Sequence, residues 1–380
     1  MILALKHKIF IVCTCSVVLS LFLLDQSFGG KAVKQQEQQN VTVLLWHWPF
    51  HRAYSLEGDV CREWYGIPSC ILTDSHAAFP HADVVVFHHH ELKYKRASLP
   101  LHLPRPPTQK WLWLSLESPA INMPLAAYDG LFNWTMSYRR DADVFVPYGE
   151  LVPRAPSPVP AGDERHDDYA VPGNKTHLAC WVVSRYRSGH ERSKVYQRLK
   201  QVVKVQVYGR WVRRPLSVAD LLPTISRCYF YLAFENSQSL DYITEKLWRN
   251  SFQAGTVPVV LGPPRGNYEA LVPADSFIHV DDFHSVEEMG RFLQQLAGDP
   301  RRYASYFAWH RLHDVKLYTD WRERLCQICR HYRSLDPGKV YHDLEGWANG
   351  YAITFHASLH CMSNEKLITT ISRTSIIFLL

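Results

Sequence analysis

Short apolar runs recur along the chain without the in–out alternation of a half-solvated sheet, and helix-length segments separate them. "VTVLLW" (41–46), "ADVVVF" (82–87), "WLWLSL" (111–116) and "DVFVPY" (143–148) form a first series. "HLACWVV" (177–183), "VKVQVYG" (203–209), "FYLAF" (230–234), "TVPVVLG" (256–262) and "SFIHV" (276–280) form a second. Helical segments around "ERSKVYQRLK" and "SVEEMGRFLQQLAG" lie within that second series, and residues 301–332 also have helical period. A strand without alternation is buried on both faces, the condition of a parallel sheet covered by helices. Strands alternating with helices require βα units. Between the two series, "LVPRAPSPVPAGDERHDD" (151–168) is rich first in proline and then in charge, and reads as a linker. The fold class is therefore α/β: two doubly wound, Rossmann-like domains, 41–168 and 169–347, facing a cleft. Ligands in such folds bind at the carboxyl ends of the strands.

The N-terminus places this unit in a cell. Residues 9–24, "IFIVCTCSVVLSLFLL", carry no charge and follow Lys6 and Lys8. As a helix they span about 24 Å, suited to a thin bilayer. The lysines keep the tail (1–8) cytosolic and make the run a single-pass type II signal anchor. The rival reading is a signal peptide cut near Ser27–Gly29. Either puts the remainder in the secretory lumen, behind a polar stem (25–40) containing "KAVKQQEQQ". The sequons at Asn40, Asn133 and Asn174 agree as candidate glycan acceptors. So do Cys61, Cys70, Cys180, Cys228, Cys326 and Cys329, which allow three disulfides in an oxidising compartment, with the pairing open. "CQIC" (326–329) has no second CxxC to complete a zinc site. The net charge of +6 is spread out, with no basic run beyond "GRWVRR", which argues against nucleic acid as a partner.

One stretch carries a local contradiction. In "AFENSQSLDYITEKLW" (233–248), Asp241 and Thr244 look like N-caps of a helix closed by Gly255, so Lys246 falls in the first turn. There the macrodipole disfavours a cation by about 0.3–1 kcal/mol. A bound anion, shared by Lys246 and the helix amides, would reverse the sign. Neither G-x-G-x-x-G nor G-x-x-x-x-G-K-[ST] occurs, so a phosphate would have to be held by a helix end and side chains. Lys246 and Arg192 are of the right type.

These residues resemble a known signature. "FYLAFENSQSLDYITEKLWRN" followed by "AGTVPVVLGPP" is similar to the α-1,3-fucosyltransferases of glycosyltransferase family 10. The likeness extends through "LLWHWPF", "ADVVVFHHHEL", "LSLESP", "FNWTMSYRRDADVFVPYG", "IHVDDF", "DWRERLCQIC" and "VYHDLEGW", over about residues 41–347.

The resemblance implies a GT-B fold with the acceptor domain first. It implies inverting transfer of fucose from GDP-β-L-fucose to the 3-hydroxyl of N-acetylglucosamine in lactosamine glycans, sialylated ones in particular, by a Golgi membrane protein. It makes Glu117 the general base. Tyr148, Gly149, Ser184, Arg192, Tyr231, Asn236, Tyr242, Glu245 and Lys246 become the donor-binding set, with no divalent ion or other cofactor needed. The D-x-D of Asp141 and Asp143 is then structural, and the cysteines pair as Cys61–Cys326, Cys70–Cys329 and Cys180–Cys228. Departures from the family pattern stand at Ile121, Arg185 and His90, and residues 348–380 have no family counterpart and are expected to be disordered. The alternatives are a lectin-like homologue without turnover and a transferase of different linkage.

Overall fold

The structure, a computed structural model, describes residues 40–155 and 174–350. The expected anchor and its cytosolic tail, nearly all of the stem, most of the proline-rich break and residues 351–380 lie outside the described residues. Of the expected disordered tail, Ala348 and Asn349 close a helix, Leu344–Asn349, and Ala348 is buried in the first core. That part of the expectation is corrected.

The first sheet has six parallel strands: β1 (Val41–Leu45), β2 (Cys70–Thr73), β3 (Val84–His88), β4 (Lys110–Ser115), β5 (Trp134–Ser137) and β6 (Val144–Phe145). Their order is β2-β1-β3-β4-β5-β6. β7 (Gly149–Pro153) leaves this sheet. The second sheet holds β8 (His177–Val182), β9 (Val205–Tyr208), β10 (Cys228–Phe234), β11 (Val257–Leu261) and β12 (Ile278–His279), in the order β12-β11-β10-β8-β9, again all parallel. Counted from its own first strand, each sheet begins 2-1-3-4-5. Each therefore reverses direction beside its first strand, and such a reversal opens a crevice at the carboxyl edge. The unalternated sequences find both faces covered: Val84, Val85 and Val86 of β3 and Phe230, Tyr231 and Leu232 of β10 are fully buried.

Six helices matter for the site. These are α1 (Val60–Tyr65), α2 (His89–Lys93), α3 (Glu191–Leu199), α4 (Glu245–Leu247), α5 (Val286–Ala297) and α6 (Trp321–His331). α4 runs on into a π-helical turn, Trp248–Gln253, and Gly255 ends it with φ 67°. The side chains of Asp59, Ser285 and Asp320 cap α1, α5 and α6 by accepting backbone N–H groups. α6 returns to the first sheet and is fastened there by Cys61–Cys326 and Cys70–Cys329, which join segments 265 and 259 residues apart. Cys180–Cys228 ties β8 to β10. These are the pairs that the resemblance implies.

Two expectations are corrected here. Residues 151–153, read as the start of a linker, belong to β7, and the stretch 301–332, read as helical, contains β13 (His313–Leu317). β7 and β13 pair antiparallel, with Gly149 opposite Leu317 and Glu150 opposite Lys316. Both strands are half-exposed and mixed in polarity, so their conformation comes from pairing across the chain and not from local pattern.

Candidate functional site

The carboxyl ends of β4 and β10 meet at a cavity of ≈ 400 Å³. Glu117 enters it from the turn after β4. Ser115 Oγ accepts the Glu117 N–H at 3.2 Å, and Asn122 Nδ2 donates to the Glu117 carbonyl at 2.8 Å. Ser115 and Asn122 are themselves hydrogen-bonded and buried, so this turn is fixed by groups beneath it. Asn236, Tyr242, Glu245 and Lys246 form the wall contributed by the second sheet.

Lys246 answers the contradiction at the helix start differently from the sequence reading. Its ammonium meets the buried carboxylate of Glu235 at 2.7 Å, the Thr244 hydroxyl at 2.7 Å and Glu245 at 3.3 Å. The anion beside this helix end is thus supplied by the protein. Thr244 does precede α4, but its N–H and hydroxyl both donate to Glu235, at 2.8 Å each. Asp241 caps nothing. It is buried with φ 57° and accepts from Arg140 Nε at 2.9 Å and Asn267 Nδ2 at 2.7 Å, joining the two halves of the fold. Burial alone would lower the Lys246 pKa, but the charges of Glu235 and Glu245 outweigh it and leave it raised. Glu235 is pushed up by burial, against the pull of Lys246. Glu245 is driven up by burial too, yet Lys246 and Thr244 bring it below the usual carboxylate range.

Arg192 stands in the opposite condition. It lies in the first turn of α3, 7% exposed, at a second cavity of ≈ 180 Å³ that shares Asn236 with the first. Its Nη2 donates to the backbone carbonyl of Arg185, and its Nε has no partner among the described residues. No carboxylate bonds to it among the described residues. Close by, Ser193 Oγ and Asn236 Oδ1 are also buried without partners. A buried cation with no carboxylate bonded to it is costly, and burial lowers the Arg192 pKa against the weaker through-space pull of Glu235, which lines the same void. A buried guanidinium with no carboxylate bonded to it, facing a void at a helix start, is the chemistry of an anion site.

The other expected residues divide. Tyr148 lines the larger cavity, donating from its hydroxyl to the Leu116 carbonyl at 2.5 Å, and Tyr242 stacks edge-on against Tyr138 at 4.9 Å. Gly149 is a packing position: a Cβ there would lie 2.7 Å from Trp248 Cγ and 2.9 Å from the Lys316 carbonyl oxygen. Tyr231 is buried in the second core, accepting from Asn250 Nδ2 at 3.0 Å, and lines neither cavity. Ser184 is exposed and lines neither.

Sequence reasoning missed Glu235, Phe50, His88, Trp321 and Arg324. Glu235 had a signal, a carboxylate directly after an apolar strand; the rest reach the cavity through tertiary packing.

The D-x-D carboxylates are committed to the protein. Asp141 pairs with Arg139 at 2.6 Å, while Asp143 receives Lys339 at 2.6 Å and the Tyr341 hydroxyl at 2.8 Å. The sequon asparagines divide as well. Asn40 and Asn174 are exposed, whereas Asn133 is buried. Asn133 Oδ1 accepts from Trp111 N at 3.0 Å and from Arg105, and its Nδ2 donates to the Lys339 carbonyl at 2.9 Å. In the folded protein Asn133 thus acts as an internal brace, with the nitrogen that a glycan would occupy used inside the fold.

Comparison with known proteins agrees with this architecture. Residues 38–149 match the family model "Fucosyltransferase, N-terminal", and residues 172–347 match "Glycosyltransferase family 10 (fucosyltransferase) C-term". The chain is 48% identical over 313 residues to α-(1,3)-fucosyltransferase 7 of Homo sapiens, covering 82% of this chain and 86% of that protein. It is 39% identical over 316 residues to 4-galactosyl-N-acetylglucosaminide 3-α-L-fucosyltransferase 9 of Bos taurus, covering 83% of this chain and 84% of the relative. A solved α1,3-fucosyltransferase with GDP-fucose shares the fold at a TM-score of 0.50 and 17% identity, over 83% of this chain and 96% of that one. With both halves of the family matched and the cavity formed where those halves meet, the chain belongs to the α-1,3-fucosyltransferases of glycosyltransferase family 10.

Proposed function

We propose that the protein is a Golgi membrane enzyme that moves L-fucose, with inversion, from GDP-β-L-fucose to the 3-hydroxyl of N-acetylglucosamine in α2,3-sialylated lactosamine glycans. The observation that carries this reading is the unpaired, buried Arg192 in a void adjoining the cavity of Glu117. The diphosphate neutralises Arg192, and Lys246 lies beside it. Glu117 removes the proton of the acceptor hydroxyl as that oxygen attacks the sugar carbon, and the cations stabilise the departing GDP. No divalent ion is required, because the cationic side chains meet the charge and the D-x-D carboxylates are engaged elsewhere. Arg249 and Arg324 also line the larger cavity, which suits an anionic acceptor. The relatives named α-(1,3)-fucosyltransferase 7 support the α-1,3 linkage.

Calorimetric titration of GDP into the purified protein in chelator tests the donor half; no measurable affinity refutes it. A transfer assay comparing sialylated, neutral and type 1 acceptors tests the rest, with the sialylated lactosamine expected to give the highest kcat/KM. Glu117→Gln is expected to lower kcat by at least about 100-fold while leaving GDP affinity unchanged. Substantial turnover in that variant points to another base.

A further inference from the structure

Phe50 is held in a conformation that a phenylalanine does not choose. Its backbone is left-handed, with φ 55° and ψ 26°, as is that of the next residue, His51, with φ 57°. Its ring is 43% exposed at the large cavity. Bulky residues with positive φ are strained and persist only where their surroundings over-determine them.

The determinant is Glu91 in α2. It is fully buried (0% exposed), and its carboxylate accepts the Phe50 N–H at 2.9 Å, His90 Nδ1 at 3.1 Å and His88 Nδ1. Burial keeps His88 neutral, so its Nδ1 carries the donated proton and the tautomer is fixed by Glu91. The rings follow the carboxylate. The His90 and His88 centroids stand 4.8 and 5.1 Å from that of Phe50, and Trp321 of α6 is 6.4 Å away. Phe50, His88 and Trp321 line the same cavity as Glu117, which Asn236 and Lys246 of the second half of the fold also line. Glu91 does not line it. An aromatic face has a negative quadrupole and attracts the polarised C–H groups of one side of a pyranose, while the hydroxyls at the sugar's edge remain free for polar partners. A ring exposed in a cavity that the Glu117 carboxylate also lines has that pairing of surfaces.

We propose that Phe50 is a stacking platform for a pyranose of the acceptor, and that Glu91 is a positioning residue that fixes the platform through the Phe50 N–H without touching substrate. The proposal rests on reading the Glu117 cavity as the acceptor site. The platform contributes to acceptor binding and nothing to the donor, and Glu91 acts through it.

The test is steady-state kinetics on the full chain with Phe50→Ala, Phe50→Tyr, Glu91→Gln and the Phe50→Ala/Glu91→Gln pair, with GDP affinity measured for each. Phe50→Ala is expected to raise the acceptor KM by about 10-fold, with the donor KM and GDP affinity unchanged. Phe50→Tyr, which keeps the ring face, is expected to restore most of that loss. Glu91→Gln moves the acceptor KM in the same direction, and the pair is no worse than Phe50→Ala alone, since Glu91 has no platform left to position. An acceptor KM unchanged in Phe50→Ala overturns the platform. Losses that add in the pair, or a donor KM that rises as much as the acceptor KM, overturn the positioning role. Retained GDP affinity throughout separates these failures from failure of the donor-site reading, in which the unsubstituted protein binds no GDP.

Discussion

Lys246 has a structural role beside the donor-binding role proposed for it, and the two separate experimentally. Its ammonium is the principal counter-charge of Glu235, whose side chain is 2% exposed while that of Lys246 is 14% exposed. Lys246→Ala leaves an ionised carboxylate in a dry site with only the Thr244 hydroxyl and N–H to meet it. Breaking one side of a buried pair costs about 3–5 kcal/mol. The sign of the pH dependence follows from Glu235, whose folded pKa is already raised by burial. Without Lys246 it rises further, so the deficit is largest while the carboxyl is ionised and shrinks as pH falls and it takes up its proton. The relief is about 1.4 kcal/mol for each pH unit below the folded pKa, ending at the ordinary carboxylate range. Urea denaturation of the purified protein at pH 7.5, 6.5 and 5.5 measures it. The double variant Lys246→Met/Glu235→Gln removes both charges together and is expected to recover most of the lost stability, but not GDP affinity. A Lys246→Ala protein as stable as the parent, or one with a deficit independent of pH, refutes the view that Glu235 is what makes a lysine tolerable at this helix start.

Four further outcomes follow from the geometry. Gly149→Ala places a methyl group 2.7 Å from Trp248 Cγ, and the forced shift is expected to destabilise by about 1–3 kcal/mol in a denaturation series. Peptide mass spectrometry of protein from glycosylating cells is expected to find glycan at Asn40 and Asn174 and none at Asn133. Asn133→Ala orphans the Trp111 N–H and the Lys339 carbonyl, lowering stability by about 1–3 kcal/mol per group. The Glu91 carboxyl would be raised by burial alone, but its bonds to His88, His90 and the Phe50 N–H bring it down to about 2. Its contribution is therefore present above the unfolded carboxylate pKa and lost as pH falls through about 2, roughly 3 kcal/mol in all. Acid denaturation of Glu91→Gln against the parent measures that, and identical acid limbs refute it.

Much of the site was legible because it lies on strand ends. Glu117 follows "WLWLSL", Asn236 follows "FYLAF", and a doubly wound sheet delivers such residues to one edge. Lys246 drew attention through its misplacement on a helix, and that signal was sound. The partner inferred for it was incomplete, because Glu235 stands eleven residues away and meets it only when β10 ends beside α4. Phe50 was not legible: an aromatic in "WHWPFH" reads as core, and its strained exposure depends on a carboxylate 41 residues distant. Asn133 carries a valid sequon, and only the packing of Lys339 against it makes it internal.

The sequence by itself determined the local terms: unalternated strands that require covered parallel sheets, caps that start α1, α5 and α6, and the kinds of side chain delivered to each strand end. Those depend on periodicity and short-range hydrogen bonding, which neighbours in the chain supply. The tertiary structure decided which charges are met and which are left open. Glu235 neutralises Lys246 while Arg192 stays unpaired, and β7 becomes a strand because β13 lies beside it. The physical reason is that the electrostatic cost of a buried group depends on what shares its low-dielectric surroundings, and those neighbours come from distant parts of the chain.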